Sequence, residues 1–394
     1  MSSRPELLPL DTIDQLPFTP AEYDERLAAC RKAMCERDID FLVLNSPENI
    51  YYLSGFITRG YYVFQALVVM HTGKPILVVR RYEQANVERL SYYKDMAIWH
   101  DTEIPAEVLA KTLSDLGAAK RTIGIDANSW FLPVSAYERL RDLLPQALFV
   151  NGSQVLGDIR ATKSWQEVAY IRRAAEARNA AFRAAQEAAR PGRTENEVAA
   201  AFNHAAILAG SGYEAGAPYI VSGPRIALPH ATWSGRRIES GDLVQVAGAA
   251  NCKRYCAVLL RTWSMGKPTD RVRKAAETAI RALDAAIAAV RPGATSDDVD
   301  AARRSALARA GVANGLAHRT GYSVGIGICP GWLEDSVIEL KHGDPRVLRA
   351  GMVFHLVQVA LPEPDVSVGI GVQVLVTDSG AEVILDYPME IECS

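Results

Sequence analysis

The segment that most constrains this chain is Gly241-Asp-Leu-Val-Gln-Val-Ala-Gly-Ala-Ala-Asn-Cys-Lys-Arg-Tyr-Cys-Ala-Val-Leu-Leu-Arg-Thr262. It reads as a strand hairpin. Strand alternation puts Gln245 on the same face as Ala247. Beyond Asp242 the segment carries no acidic side chain.

The 394 residues are enough for two domains, each with its own core. Residues 20–38 have helical periodicity, with Leu27, Ala28 and Met34 on one side. Buried strands are predicted at Phe41–Leu44, Tyr62–Met70 and Pro75–Val79, and strands alternate with helices through residue 150. From Asp158 the chain reads as the start of an interdomain helix. Ser164 is its N-cap, and Glu167, three residues on, completes a capping box. That helical run ends near Pro191-Gly192. A second helical pair is predicted at Arg271–Ala289 and Thr295–Gly311, with strand-rich segments between and after.

Hydrophobic residues make up 49% and charged residues 23%, the mix of a soluble globular enzyme. A formal net charge of −3 argues against nucleic acid or an anionic membrane as partner. The six cysteines (30, 35, 252, 256, 329 and 393) form no CxxC pair and no disulfide framework, which suits a reducing cytoplasm. The N-terminal residues lack a charged region followed by an apolar run, so no signal peptide is expected. No apolar stretch approaches the length of a bilayer span.

The hairpin resembles the segment that metal-dependent peptidases of the methionine aminopeptidase, aminopeptidase P and creatinase superfamily write as roughly GDLVxxDxGxxxxGYxxDxTRT. Gly241, Asp242, Leu243, Tyr255, Arg261 and Thr262 coincide with it, while the two metal-ligand aspartates fall on Ala247 and Val258. The family's Gly-His-x-x-Gly turn corresponds to Gly321–Gly325, with Val324 at the histidine place. Its GMxFxxEP strand corresponds to Gly351–Gln358, with Val357 in place of Glu. Its last Glu falls on Gly371, Val372 or Gln373. Methyl, isopropyl and amide groups do not replace oxygen ligands for a hard cation, so no metal and no cofactor are expected.

The resemblance covers essentially the whole chain. It implies an α/β (α+β) protein: a small creatinase-type α/β domain over 1–160 and a curved pita-bread domain over 161–394, usually a homodimer acting on a small molecule. Within the superfamily the chain looks most like ectoine hydrolases. It shares with them Pro-His-x-Thr-Trp (229–233), Lys-Arg-Tyr (253–255), Gly-Tyr-x-x-Gly-Ile (321–326), Pro-x-Trp (330–332) and Gly-Met-x-Phe-His (351–355). That branch implies a metal-free site, but its glutamate nucleophile would stand at Ala247. The substrate-holding glutamates of creatinases would stand at Leu260 and Val357. The carboxylate mechanisms of both relatives are therefore absent.

What remains is neutral and hydrogen-bonding. His230 and His355 are the candidate acid–base groups, His355 on the same strand face as Val357; the alternative for each is a satisfied structural histidine. Tyr255 and Tyr322 could orient a polar substrate or simply frame the strands. Gln245, Gln358 and Gln373 could recognise a carboxylate or carbonyl, or bond to neighbouring backbone. Cys256 could pair with His230 as nucleophile and base, or be a small buried hydrophobe. Trp233 and Trp332, with Trp263 and Tyr322, could wall a pocket for a cationic or planar substrate, or pack in the core. By the resemblance, Arg59 lies in the loop that creatinase-like dimers extend into the partner's site, where it could grip a carboxylate; a solvated arginine is the alternative. Three functions follow: a metal-independent enzyme acting on a C–N bond of a small amino-acid-like or cyclic amidine-like compound, a lyase, cyclase or isomerase on the same scaffold, or an inactive binding homologue.

Overall fold

A computed structural model describes residues 16–312, 318–334, 337–363 and 366–391. Cys393 and the N-terminal residues 1–15 lie outside the described residues. Two compact units divide between Arg160 and Ala161.

The first unit starts with α1 (Pro20–Cys35), where Thr19 accepts a hydrogen bond from the Glu22 N–H and Pro20 sets the first helical dihedral. Its buried stripe is Tyr23, Leu27, Cys30 and Met34, at helical spacing. Ala28 is exposed, because one residue step turns about 100° away from Leu27. Then come β1 (Phe41–Leu44), α2 (Pro47–Ser54), β2 (Ala66–Met70), β3 (Ile76–Arg80), α3 (Gln84–Leu90), β4 (Met96–Trp99), α4 (Pro105–Asp115), β5 (Thr122–Ile125), α5 (Val134–Leu143), β6 (Leu148–Asn151) and α6 (Gln154–Arg160). The strands form one mixed sheet in the order β4-β3-β2-β1-β5-β6. β2 begins at Ala66, since residues 59–63 turn instead of extending as predicted from Tyr62.

The second unit opens with α7 (Trp165–Ala188) and α8 (Glu195–Leu208). Ser164 and Thr194 start these helices with complete capping boxes to Glu167 and Glu197, each worth about 1 kcal/mol. β7 (Tyr219–Ser222), β8 (Leu243–Cys252) and β9 (Tyr255–Ser264) follow, then α9 (Asp270–Ala289) and α10 (Ser296–Arg309). The chain ends in β10 (Gly321–Ile328), β11 (Gly331–Leu333), β12 (Glu339–Leu340), β13 (Val353–Glu363), β14 (Val366–Thr377) and β15 (Gly380–Val383).

The main sheet runs β11-β10-β13-β14-β9-β8-β7, with β12 on β10 and β15 on β14. β10 pairs with β13 and also, through Ile326 and Tyr255, with β9, so the sheet curls back on itself. One side is covered by helices: Phe182 and Phe202 of α7 and α8 pack on Val244, Val246 and Leu259, while Ala279 and Leu283 of α9 pack on Phe354, Ile370 and Val372. Alternate residues of the same strands point to the other side and gather there in a separate cluster. No helix among the described residues is long and apolar enough to cross a membrane.

Candidate active site

The helix-free side of the sheet is where the expected ligand positions meet. Val258, Val324 and Val357 share one apolar cluster with Leu260, Cys256, Tyr322 and Trp332, and Ala247 packs against it half-buried. Val357 pairs directly with Gly371 across β13 and β14, and Gly371 pairs with Leu260 of β9. Four of the expected ligand places therefore meet on this face, and of the three candidates for the last one Gly371 and Gln373 lie there while Val372 packs in the helix-covered core. Counting Gly-x-x-x-Gly from Gly321 puts Tyr322, not Val324, at the histidine's place; both face the cluster and neither is an imidazole. The residues at these places offer a hard cation no carboxylate, so they do not fit the metal centre that the family resemblance implies.

A series of rings borders the cluster. His230, exposed and held in a left-handed backbone conformation (φ 57°), lies with its ring centre 5.6 Å from that of Tyr219. Tyr219 meets Trp332 edge-on at 5.3 Å, and the Trp332 Nε1–H donates to Tyr322 Oη at 3.1 Å. Tyr322 Oη lies 2.9 Å from His355 Nδ1. The rings thus run from a solvent-exposed imidazole to one that is 2% exposed. Half-buried Tyr219, which sits opposite Ala247 on β7, was not among the sequence candidates. Its signal would have been a tyrosine on the strand bordering the hairpin. His318 was also missed; it is half-buried, bonds through Nδ1 to Arg319 O, and lies near enough to both His230 and His355 to interact with them electrostatically.

His355 is neutral. Burial is the main cause that holds its pKa well below 6.5, and the nearby positive groups His318, Arg178 and Arg261 push the same way. Its Nε2 is buried with no hydrogen-bond partner. Trp332 Nε1–H can only donate, so Tyr322 Oη accepts from it.

The structure does not bring all the candidates to this face. Gln245 is half-buried there and donates to Thr262 Oγ1 at 3.2 Å. Gln373 is there too, but its amide is engaged by backbone: Oε1 accepts from Val258 N at 3.0 Å and Nε2 donates to Cys256 O at 3.1 Å. It stitches β14 to β9 as a backbone ladder would. Gln358 points to the opposite side, where it meets Arg303 and the carbonyl of Val359. Tyr255 also points away, donating to Glu167 of α7 at 2.8 Å, and Trp233 packs against the helix-covered core that contains Trp263. Cys256 faces the cluster, but complete burial pushes its thiol up to about 12. Arg59 is exposed in the first unit, in the loop after α2.

Buried charges surround the site without entering it. Lys163 Nζ and Glu334 Oε2 pair at 2.7 Å, and Ser323 bonds to both. Arg178 and Arg261 lie behind β9 and donate to carbonyls of β9, β14 and residues 384–388. Burial lowers their pKa values to about 9 and about 10. Elsewhere Asp297, Asp300 and His342 approach one another within 4.8 Å, but Asp300 is held by Arg303, Arg304 and Thr320.

Residues 26–162 match the creatinase/prolidase N-terminal domain and residues 169–378 match metallopeptidase family M24. The chain belongs to family M24. Among its relatives, the ectoine hydrolase of Halomonas elongata is 28% identical over 95% of this chain and 98% of its own length. The probable dipeptidase PepE of Mycobacterium tuberculosis is 31% identical over 95% and 97%. The crystal structure of dipeptidase PepE from Mycobacterium ulcerans superposes with a TM-score of 0.84 at 30% identity, covering 95% of this chain and 99% of that one. The prolidase of Pyrococcus horikoshii gives 0.82 at 26% identity over 93% and 99%. The architecture is therefore the pita-bread fold of M24 hydrolases, here with an apolar cluster on its helix-free face.

Proposed function

We propose that this M24 member is an enzyme that works without a bound metal on a C–N bond of a small amino-acid-like or cyclic amidine-like compound, with His230 as general acid and base. The supporting observation is the ring series itself. It places the exposed imidazole of His230 beside half-buried Tyr219, whose ring offers a planar group a surface to lie on and meets the buried Trp332 edge-on. The hydrolase names of the ectoine hydrolase and dipeptidase relatives support the C–N bond. His355, buried and neutral, acts in this reading as a fixed hydrogen-bonding group and does not shuttle protons.

A second reading, a lyase, cyclase or isomerase, is favoured by one observation. The residues at the expected ligand places carry no carboxylate, and Cys256 is a protonated thiol, so a proton-moving reaction asks less of the site than water activation does. Inductively coupled plasma analysis, together with turnover of a cyclic amidine and of a dipeptide after chelator dialysis, tests the proposal. Turnover that survives chelation and falls about a hundredfold or more in His230→Ala is expected. Stoichiometric metal, or turnover abolished by chelator, overturns it.

A further inference from the structure

We infer that the side-chain oxygen of Gln245 is the specificity-determining acceptor of the proposed site, and that it selects a planar ring with an N–H at its edge. This deepens the proposed function and rests on that reading. Gln245 lies on β8, on the same face as Ala247, and Thr262 of β9 stands directly opposite it. The Thr262 hydroxyl accepts from the Gly369 N–H at 2.9 Å and donates its proton to Gly369 O at 3.0 Å. Towards Gln245 it then accepts, and Gln245 supplies Nε2 at 3.2 Å. That contact sets which way the amide lies, with its nitrogen turned to Thr262 and Oε1 left over. Among the described residues nothing donates to Oε1, and the half-buried side chain leaves this oxygen accessible.

The surroundings leave room for a ligand beside this oxygen. A Cβ on Gly369 would lie 2.6 Å from Gln245 Nε2 and 3.0 Å from Leu260 Cδ2, so the glycine gives the amide its place. Ala247 and Ala249 share the face of Gln245 and are half-buried like it, so small side chains leave the strand open beyond the amide. Tyr219 stands opposite Ala247 and next to His230. Alternate residues of a strand are about 7 Å apart, so a single ring lying over Ala247 against Tyr219 brings its edge to Gln245. A cyclic amidinium fits these neighbours: its plane and positive charge suit the Tyr219 ring, and its N–H makes a charge-assisted hydrogen bond to Oε1. A ring with an alkylated nitrogen at that edge would leave Oε1 without a proton to accept.

Calorimetry on the full chain gives the test, with tetrahydropyrimidinium and its N,N′-dimethyl derivative as probes. Both are planar cations, and only the first carries N–H donors. Native protein is expected to bind the first about tenfold or more tightly than the second. Gln245→Met keeps the length and removes the amide, so it should erase that preference; a preference due to methyl bulk would survive it. Gln245→Glu keeps an acceptor and adds charge, so it should bind tetrahydropyrimidinium at least as tightly as native protein. Melting temperatures report whether losing the Thr262 contact unfolds either variant, and Gln245→Glu decides if Gln245→Met does not fold. Equal binding of the two probes to native protein, no binding of either at millimolar concentration, a preference unchanged in Gln245→Met, or weaker binding of tetrahydropyrimidinium to folded Gln245→Glu overturns the inference. A Gln245-dependent preference in a protein with no turnover would sink the proposed enzyme and leave this inference standing. Turnover of a cyclic amidine with an unchanged KM in Gln245→Met would do the reverse.

Discussion

The His355 ring occupies the space that a side chain at residue 371 would need, since an ideal Cβ on Gly371 would lie 2.6 Å from His355 Nε2. The two residues form a matched pair on adjacent strands, glycine making room for imidazole. Gly371→Ala is expected to destabilise the protein by about 1–3 kcal/mol through overpacking. In a His355→Ala background the same change should cost much less. A double-mutant cycle by urea denaturation checks this, and strictly additive costs would refute the pairing.

The same geometry predicts that single carboxylates will not rebuild a metal site. Val258 is fully buried among Val324, Leu260 and Val357. Val258→Asp would bury a carboxyl with no partner and is expected to cost about 3 kcal/mol or more. Added Mn²⁺ or Zn²⁺ should not restore the melting temperature, whereas a formed site would raise it in proportion to the logarithm of metal concentration. For the native chain, chelator should leave the melting temperature unchanged.

A buried neutral histidine also sets a pH dependence. In the unfolded chain the His355 imidazole takes up a proton near its ordinary value of 6.5, but the folded site keeps it neutral to well below that. The unfolded state then binds more protons below pH 6.5, so this stabilisation is complete above that value and is lost as pH falls. Half-buried His318, also shifted down by burial, acts in the same direction. Denaturation midpoints should decline from pH 7 to pH 5 with a slope of at most about 1.4 kcal/mol per pH unit for His355. His355→Phe should flatten that part of the profile.

Much of this was legible in the sequence because it rests on local rules. The hairpin at 241–262, the Ser164–Glu167 capping box and the shared face of His355 and Val357 follow from turn chemistry, capping and strand alternation. What was not legible depends on which side of a curved sheet a residue faces. Tyr255 and Trp233 sit in motifs that look functional, yet they turn into the helix-covered core. Gln373 looks like a ligand-facing amide but completes a gap in the ladder between β9 and β14. Tyr219 went unnoticed because only the pairing of β7 with β8 sets it against Ala247.

Cys256 offers a test of the nucleophile question. Its thiol faces the cluster, and a Cβ on Gly327 would lie close against its Sγ, so it is tightly packed. Burial pushes its pKa to about 12, leaving almost no thiolate at neutral pH. Native protein at pH 8 should resist iodoacetamide at Cys256 while exposed Cys35 reacts, as read by peptide mass spectrometry. Cys256→Ala should retain turnover and lose about 1 kcal/mol of stability. Loss of turnover with stability intact would revive a thiol mechanism.

The ion pair between Lys163 and Glu334 predicts a stability effect unconnected with catalysis. Both side chains are almost fully buried, 2.7 Å apart, and Glu334 also accepts from Ile326 N and Ser323 Oγ, so the pair anchors β10 beside the cluster. Taking two charges out of water is costly, and their attraction repays that cost only while both are present. Lys163→Met leaves a buried carboxylate uncompensated and should cost about 3–5 kcal/mol. Lys163→Met combined with Glu334→Leu removes both charges and should recover most of that loss, although the backbone N–H of Ile326 then loses its acceptor. Urea denaturation of the four proteins measures the coupling. A double variant no more stable than Lys163→Met would show that Glu334 matters for its hydrogen bonds to β10 and not for its charge.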